Sequence, residues 1–209
     1  MGIKERKRRD KEARKNSILM AAKRVFFEKG FHAATMDKIA EVAELSKGSL
    51  YLHFKSKEEL YVSILAEGLE ILHKNFTEAV EGIKGWEEII RSIGRAYFRF
   101  YQDYQNYFKI LFLFQHGEIS SNVPEPLLQT CFEKGTLCLM FLSQALQGGI
   151  EAGEVEPSDP MELAVILWGS INGLICLYEE EEHRKFVSNC LDDLINRSID
   201  IMIKGLKMR

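Results

Sequence analysis

Apolar side chains recur three or four residues apart along almost the whole chain, the spacing of one face of an α-helix. Alternating Val-Thr runs and Asn-Gly turns are few, so no sheet is expected. The pattern predicts an all-α protein of about nine helices: one from Asn16 or Ser17 to about Lys29, two short ones between Thr35 and Phe54, a long one from Lys57 to about Val80, and others near 84–103, 104–115, 124–152, 159–178 and 182–206.

Residue types that cap helices mark several boundaries. Gly30 occupies the usual position after the first helix, Thr35 caps the second and Ser46 caps the third. Ser56 and Glu59 form a capping box, in which each side chain can accept the backbone N–H of the other residue.

The segment Thr35–Leu60 contains two short apolar stripes that can form one small core. The stripes and the turn between them contribute Ile39, Ala40, Ala43, Leu45, Leu50 and Phe54. If Leu50 and Phe54 face inward, the step of about 100° per residue sends a different set outward: Gly48, Ser49 and Leu52 centrally, and Lys47, Tyr51 and His53 on the flanks. Small, aromatic and basic side chains suit a major groove, so the segment predicts a helix-turn-helix DNA reader.

The region from about Ile18 to Leu60 resembles the TetR family of bacterial transcriptional regulators. It contains AAKRVFFEKGF, a Thr before the second helix, and SKGSLYLHFKSKEEL, in which the LYxHF and KSKEEL segments have the family's separation. Many relatives carry Gly in the turn where this chain has Glu44, so the resemblance implies a non-glycine residue at positive φ, with a strain of roughly 1 kcal/mol. The resemblance implies phosphate contacts by Thr35, Tyr51, His53 and Lys57, and places Lys47, Gly48, Ser49 and Leu52 nearest the bases. Lys47 could reach guanine and Leu52 a thymine methyl.

Charge is divided unevenly along the 209 residues. The first 60 contain 15 Lys or Arg and 9 Asp or Glu, a formal charge of +6, whereas the whole chain has −3. A basic DNA reader on an acidic body follows from this division. Residues 1–15 hold eight basic and three acidic side chains and almost nothing apolar. We expect a mobile arm there, either a solubilising tail or an element that grips the minor groove or the DNA backbone.

The remaining composition is that of a soluble cytoplasmic protein. Hydrophobic residues make up 46% and charged residues 28%, no secretory signal is seen, and the longest apolar stretch, Met161–Tyr178, contains polar residues and two glycines. We interpret that stretch as a buried helix at a packed interface. The four cysteines show no CxxC spacing, which indicates a reducing compartment and structural thiols. A redox sensor at Cys131 and Cys138, seven residues apart, remains the alternative.

Catalysis and cofactors are not expected. The five histidines have no metal-ligand spacing, and no nucleophile elbow or phosphate-binding loop occurs. The acidic run Glu179–Glu182 beside His183 favours a solvated helix start over a metal site.

The aromatic segment Tyr97–Phe114 has too many rings for one narrow stripe. Its rings fit either plain helix packing or the wall of a cavity for a hydrophobic small molecule. The resemblance implies such an effector pocket among the C-terminal helices, and our candidates for its lining are Phe98, Tyr101, Phe112, His116, Met140 and Trp168.

The last two helices carry more apolar surface than one subunit is expected to cover. Gly169 and Gly173, one turn apart, permit close helix approach, and the resemblance implies a four-helix bundle between two subunits. Our candidates for this homodimer interface are Gly169, Gly173, Leu191, Ile195 and Ile199. Burial within the monomer is the alternative for each of them.

These observations predict three segments: a basic arm at 1–15, a helix-turn-helix domain at 16–60, and a ligand-binding and dimerisation domain at 61–209. The function they favour is a dimeric repressor that binds a palindromic double-stranded DNA operator and is released by a ligand. The rival is a DNA-bound protein that recruits a protein partner and has no small-molecule inducer.

Overall fold

The computed structural model describes residues 2–115, 123–187 and 190–208, and their regular structure is helical. The predicted all-α class is confirmed. These ranges contain ten helices: α1 (Ile3–Ala33), α2 (Met36–Val42), α3 (Lys47–Tyr51), α4 (Lys57–Val80), α5 (Trp86–Asp103), α6 (Gln105–Gln115), α7 (Glu125–Glu151), α8 (Pro160–Glu179), α9 (Glu181–Arg184) and α10 (Leu191–Leu206).

Helix α1 begins much earlier than its apolar pattern predicted. Neither Asn16 nor Ser17 caps it, because the helix starts after Gly2 and includes the whole basic segment 3–15. The early start of α1 has a local cause, because Lys, Arg, Glu and Ala are all good helix formers. Once residues 18–26 nucleate the helix, these residues can continue it without packing in a core. The predicted break at Gly30 is confirmed, because this residue has φ 74° and ψ 172°, outside the helical range.

The turn between α2 and α3 follows the sequence closely. Thr35 Oγ1 accepts the N–H of Lys38 at 3.2 Å, and Ser46 Oγ accepts that of Ser49 at 3.2 Å, so both predicted caps are present. Glu44 has φ 55°, as expected for a left-handed residue in this turn.

The start of α4 confirms half of the predicted capping box. Ser56 Oγ accepts the N–H of Glu59 at 3.1 Å. The Glu59 carboxylate also accepts the N–H of Lys55 at 2.6 Å. The carboxylate therefore holds the chain one residue before the cap, and this contact still orients the entry into α4.

The described chain forms two compact units that differ from the segments predicted from the sequence. One comprises the chain up to Gly68 together with Asn106–Phe132, and the other comprises Leu69–Gln105 and Glu133 onward. Helix α6 therefore groups with the N-terminal helices. The functional boundary placed after residue 60 remains a prediction.

The core of the first unit joins α1, α2, α3 and the first half of α4. Its buried apolar residues include Ile18, Ala22, Val25, Phe26, Ile39, Leu50, Phe54, Leu60 and Ile64. A ring cluster tightens it, with Tyr61 meeting Phe26 edge-on at 5.3 Å and Phe31 at 5.0 Å between ring centroids. Helix α2 thus packs against α1, and α3 packs against α2.

In the second unit, the single C-terminal helix predicted from 182 to 206 is wrong. A short helix α9 ends at Arg184, and α10 begins only at Leu191. Asp192 and Asp193 occupy the first turn of α10, where carboxylates favour the positive end of the helix dipole. This second acidic start marks the later helix. Of the earlier acidic run, Glu181 and Glu182 form the first turn of α9.

Candidate nucleic-acid interface

Helix α3 presents the face that its periodicity predicted. Leu50 is fully buried beneath it, whereas Leu52 is 77% exposed and Tyr51 is 36% exposed. Gly48 is also exposed, and a Cβ added to it would meet nothing within 4 Å. Leu52 thus leaves apolar surface in contact with solvent, and Gly48 has no side chain to keep another molecule at a distance. Another molecule can therefore approach this face closely.

Lys47 is held by a carboxylate at the start of the same face. Its Nζ lies 2.6 Å from Asp37 Oδ1 of α2, and both side chains are largely exposed. The hydrogen bond and charge of Asp37 raise the pKa of the Lys47 ammonium. Because the pair is solvent-exposed, it contributes little to stability and can exchange Asp37 for another acceptor.

Ser49 and Thr35 lie close to the caps of the two helices. Ser46 Oγ donates to Ser49 Oγ at 3.0 Å, and Ser49 is only partly exposed. Thr35 is exposed and uses its oxygen to accept the N–H of Lys38, which leaves its hydroxyl proton available for a further acceptor.

His53 lies at the end of the turn after α3 and is partly covered. Its Nδ1 is buried and has no hydrogen-bond partner within the described residues. Burial lowers the pKa of the imidazole, and the positive charges of Lys11, Lys15 and Arg14 lower it further. The ring is therefore favoured in its neutral form, in which one nitrogen can donate a hydrogen bond.

Lys57 is placed differently from the exposed position that the sequence predicted. Its ammonium donates to the carbonyl oxygens of Phe31 at 3.0 Å and Ala34 at 3.3 Å, and lies 4.4 Å from the centroid of the Phe31 ring. These carbonyls end α1 and lack partners within the helix. A cation there satisfies them and favours the negative end of the helix dipole, so Lys57 ties the start of α4 to the end of α1.

This contact predicts that Lys57→Met destabilises the protein. The variant keeps the aliphatic stem but leaves the α1 carbonyls without their charged donor, and we expect a loss of about 1–2 kcal/mol in the free energy of unfolding. Urea denaturation measures the change. The matched control is Lys38→Met, which removes an exposed pair with Glu41 and should cost less than about 0.5 kcal/mol. Equal stability of the two variants would contradict the structural role of Lys57.

The candidate effector residues that the structure describes are divided between the two compact units. Phe98 and Tyr101 stack with ring centroids 6.0 Å apart, and Phe98 is buried. Trp168 is partly buried and Met140 is exposed, whereas Phe112 belongs to the first unit. His116 lies outside the described residues. The pocket therefore remains a prediction.

Tyr97 and Asn172 form a polar pair within the second unit that the sequence did not predict. The Tyr97 hydroxyl donates to Asn172 Oδ1 at 2.7 Å, and Asn172 Nδ2 donates to the carbonyl of Trp168 at 3.2 Å. Burial raises the pKa of Tyr97, which keeps the hydroxyl protonated. A polar Asn in the middle of an apolar helix was the available signal, because a buried amide needs partners.

Helix α8 divides into two apolar faces. Ala164, Leu167, Ile171 and Ile175 are buried. The opposite face, which we name the exposed α8 face, consists of Val165, Ile166, Gly169, Gly173, Cys176 and Leu177, of which Gly173 alone is partly buried. By length and composition α8 could cross a membrane, with a mean hydropathy of 1.6. One face of this helix is thus exposed in the single chain, and its burial at a packed interface remains a prediction.

Three of the predicted interface residues lie in the monomer core. Leu191, Ile195 and Ile199 are at most 5% exposed, so they are unavailable to a partner. The apolar stripe that suggested an interface packs instead within the chain; for example, the Ile199 side chain lies directly against Gly94 of α5. Gly169 and Gly173 stay on the surface, and a Cβ on either would meet nothing within 4 Å.

The other candidate sites are weaker. Cys131 and Cys138 are buried, and burial raises the pKa of Cys138 to about 12, so this thiol has little thiolate character for redox chemistry. Within the described ranges, no group of three or more His, Cys, Asp or Glu side chains could hold a metal ion.

Comparison with known proteins agrees with this geometry. Residues 18–64 match the family model described as bacterial regulatory proteins, tetR family. The HTH-type transcriptional regulator RutR of Escherichia coli K12 is 30% identical over 161 residues, 76% of this chain and 72% of the relative. The HTH-type regulator YhgD of Bacillus subtilis is 29% identical over 80% of this chain and 85% of its own length.

Among solved structures, FadR from Bacillus subtilis in complex with stearoyl-CoA superposes with a TM-score of 0.69. It is 21% identical and covers 91% of this chain and 98% of its own. At this identity the likeness establishes a shared fold.

Proposed function

Because the chain belongs to the TetR family of bacterial transcriptional regulators, we propose that it is a cytoplasmic homodimeric repressor of a palindromic operator, released by a hydrophobic small molecule. The observation that carries the DNA-binding part is the outer face of α3, where exposed Leu52 and Tyr51 flank the open surface at Gly48. We propose that Gly48, Ser49, Leu52 and Lys47 meet base edges, while Thr35, Tyr51 and His53 contact phosphates.

Lys57 has a different place in this proposal. Its ammonium is bound to the α1 carbonyls, so we propose that it supports DNA binding by holding α1 and α4 together. A direct phosphate contact would have to replace these hydrogen bonds. The effect of Lys57→Met on DNA binding should therefore follow the loss of stability and leave the salt dependence of binding unchanged.

The exposed α8 face supports the proposed dimer. A single chain buries the opposite face of α8, which includes Leu167 and Ile171. It leaves Ile166 and Leu177 of the exposed α8 face more than half exposed. A second copy packed against this face would remove the apolar surface from water, and the glycines at 169 and 173 would let the two helices approach closely. This arrangement keeps the two-fold symmetry that a palindromic operator requires.

Release is proposed to act through α4, which contributes to both compact units. A ligand among the C-terminal helices would tilt α4 and change the separation of the two recognition helices, so that both could no longer enter successive major grooves. The ligand must bind the released state more tightly than the DNA-bound state, because equal affinity for both shifts no equilibrium.

The stearoyl-CoA complex of FadR suggests a first effector class, long-chain acyl thioesters. If this class is right, stearoyl-CoA at 100 times its dissociation constant should stabilise the protein by about 2.7 kcal/mol, raising Tm by roughly 5–10 °C. It should also weaken operator binding at least tenfold in fluorescence anisotropy.

Coenzyme A without an acyl chain is the matched control and should change neither quantity. A repressor that stearoyl-CoA neither stabilises nor releases would exclude this effector class. Failure of a wide hydrophobic library to do either would favour the rival, a DNA-bound protein controlled by a protein partner.

A further inference from the structure

The basic residues at the start of α1 lie on one side of the helix. Helical backbone is continuous from Ile3 to the break at Gly30, so one turn follows the next without a change of phase. Positions three, four and seven residues apart share a face. Six of the eight basic residues fit this spacing, and we name them the basic stripe: Lys4, Lys7, Arg8, Lys11, Arg14 and Lys15.

The basic stripe continues the face with which α1 packs on the DNA reader. Ile18 follows Lys11 by seven residues and Arg14 by four, and Ala22 follows Lys15 by seven. Ile18 and Ala22 are fully buried in the first unit. The side of α1 that packs in the core of the first unit therefore becomes cationic where the module ends. The acidic Glu5, Asp10 and Glu12 lie off this side.

Exposure and electrostatics agree with this placement. The stripe residues are exposed except Lys15, which is nearest the module and partly covered. Lys11, Arg14 and Lys15 lie close enough to His53 for their charges to add to the effect of burial in lowering its pKa. Three members of the stripe thus lie near His53, one of the residues proposed to contact phosphate.

We propose that the basic stripe is a second DNA-binding surface, which contacts the phosphate backbone beside the site read by α3. At 1.5 Å per residue, the helix from Ile18 to Lys4 spans about 21 Å, enough to follow several phosphates. Lys and Arg spaced along such a helix neutralise charge without reading bases, so the stripe adds affinity and salt dependence to every sequence alike. This inference rests on the proposed DNA-binding function.

Two double variants with the same change in charge test the proposal. Lys7→Gln with Lys11→Gln removes two charges from the stripe, whereas Arg6→Gln with Arg9→Gln removes two from other sides of the same helical segment. Gln has a helix propensity close to those of Lys and Arg, and circular dichroism of the full-length protein checks that the helix is retained. The measurement is the slope of log affinity against log salt on one duplex selected by the wild-type protein.

The stripe variant is expected to lower the slope by up to about 3.6 per dimer, because four phosphate contacts disappear and each contributes about 0.9. The control variant should keep the wild-type slope within about 1.

Equal slopes for the two variants, whether both lowered or both unchanged, would overturn the proposal. So would loss of binding to anionic lipid vesicles by the stripe variant with DNA binding intact, because the stripe would then fit a membrane surface. A wild-type protein that binds no duplex would instead refute the proposed function itself.

Discussion

Replacing Gly48 with Glu is expected to abolish specific DNA binding while leaving the fold intact. A Cβ at this position meets nothing within 4 Å, and the residue lies in the first turn of α3, where a carboxylate suits the helix dipole. Against DNA, the same carboxylate would sit in the groove without a partner. An unpaired buried charge costs several kcal/mol, so operator affinity should fall at least about 100-fold.

Gly148→Glu is the matched control for this variant. Gly148 is exposed within α7, and a Cβ there also meets nothing within 4 Å. The control adds the same charge in the second unit and should lower operator affinity less than about threefold, through long-range repulsion alone. Fluorescence anisotropy measures both affinities. Equal losses for the two variants would show that α3 does not face DNA.

Replacing Gly173 with Glu is expected to separate the subunits. In the single chain its Cβ would meet nothing within 4 Å, so the monomer has room for the change. In the proposed dimer, a carboxylate would enter a close helix contact on the exposed α8 face and lose its water. The cost of several kcal/mol should weaken dimerisation at least 100-fold.

DNA affinity should fall with dimerisation, because a monomer engages one half-site only. Sedimentation velocity across a concentration series gives the dimer dissociation constant, and Gly148→Glu again supplies a charge-matched control. A Gly173→Glu protein that sediments as the wild-type dimer would move the interface away from α8. The glycine spacing would then need a different explanation.

The features that the sequence predicted correctly are local. Thr35 and Ser46 cap their helices because the donor and acceptor are only three residues apart. Glu44 adopts positive φ because the turn between two short helices requires it. The outward direction of Leu52 follows from the inward direction of Leu50 and Phe54, since helical geometry fixes their relation.

Contacts between distant parts of the chain were not predictable in the same way. Lys57 meets carbonyls more than 20 residues earlier, and its short-range pattern suggests only an exposed helix start. The contacts made by the apolar faces of α8 and α10 were also difficult to predict. Periodicity identifies an apolar face but does not say whether the same chain or a partner covers it, so Leu191, Ile195 and Ile199 were assigned to the wrong contact.

The N-terminal segment shows a third limit. Its high charge suggested a mobile arm. Charge excludes only a packed core, however, and the residue types also favour helix. Because α1 is continuous, the spacing of its cations shows which of them share a helix side, and composition alone does not show this. Lys11 and Arg14 share a helix side with the buried Ile18, and their charges lie near His53.

The most direct test of a dimeric, palindrome-reading regulator begins with duplexes that the purified protein selects from a random pool. The affinity of the selected duplex is then compared with that of the same duplex with one half-site scrambled. The account predicts a palindromic sequence bound by two chains about a thousandfold or more tighter than random DNA, and a loss of at least 100-fold on scrambling. A pool without a common sequence, or equal affinity for intact, scrambled and random duplexes, would contradict it.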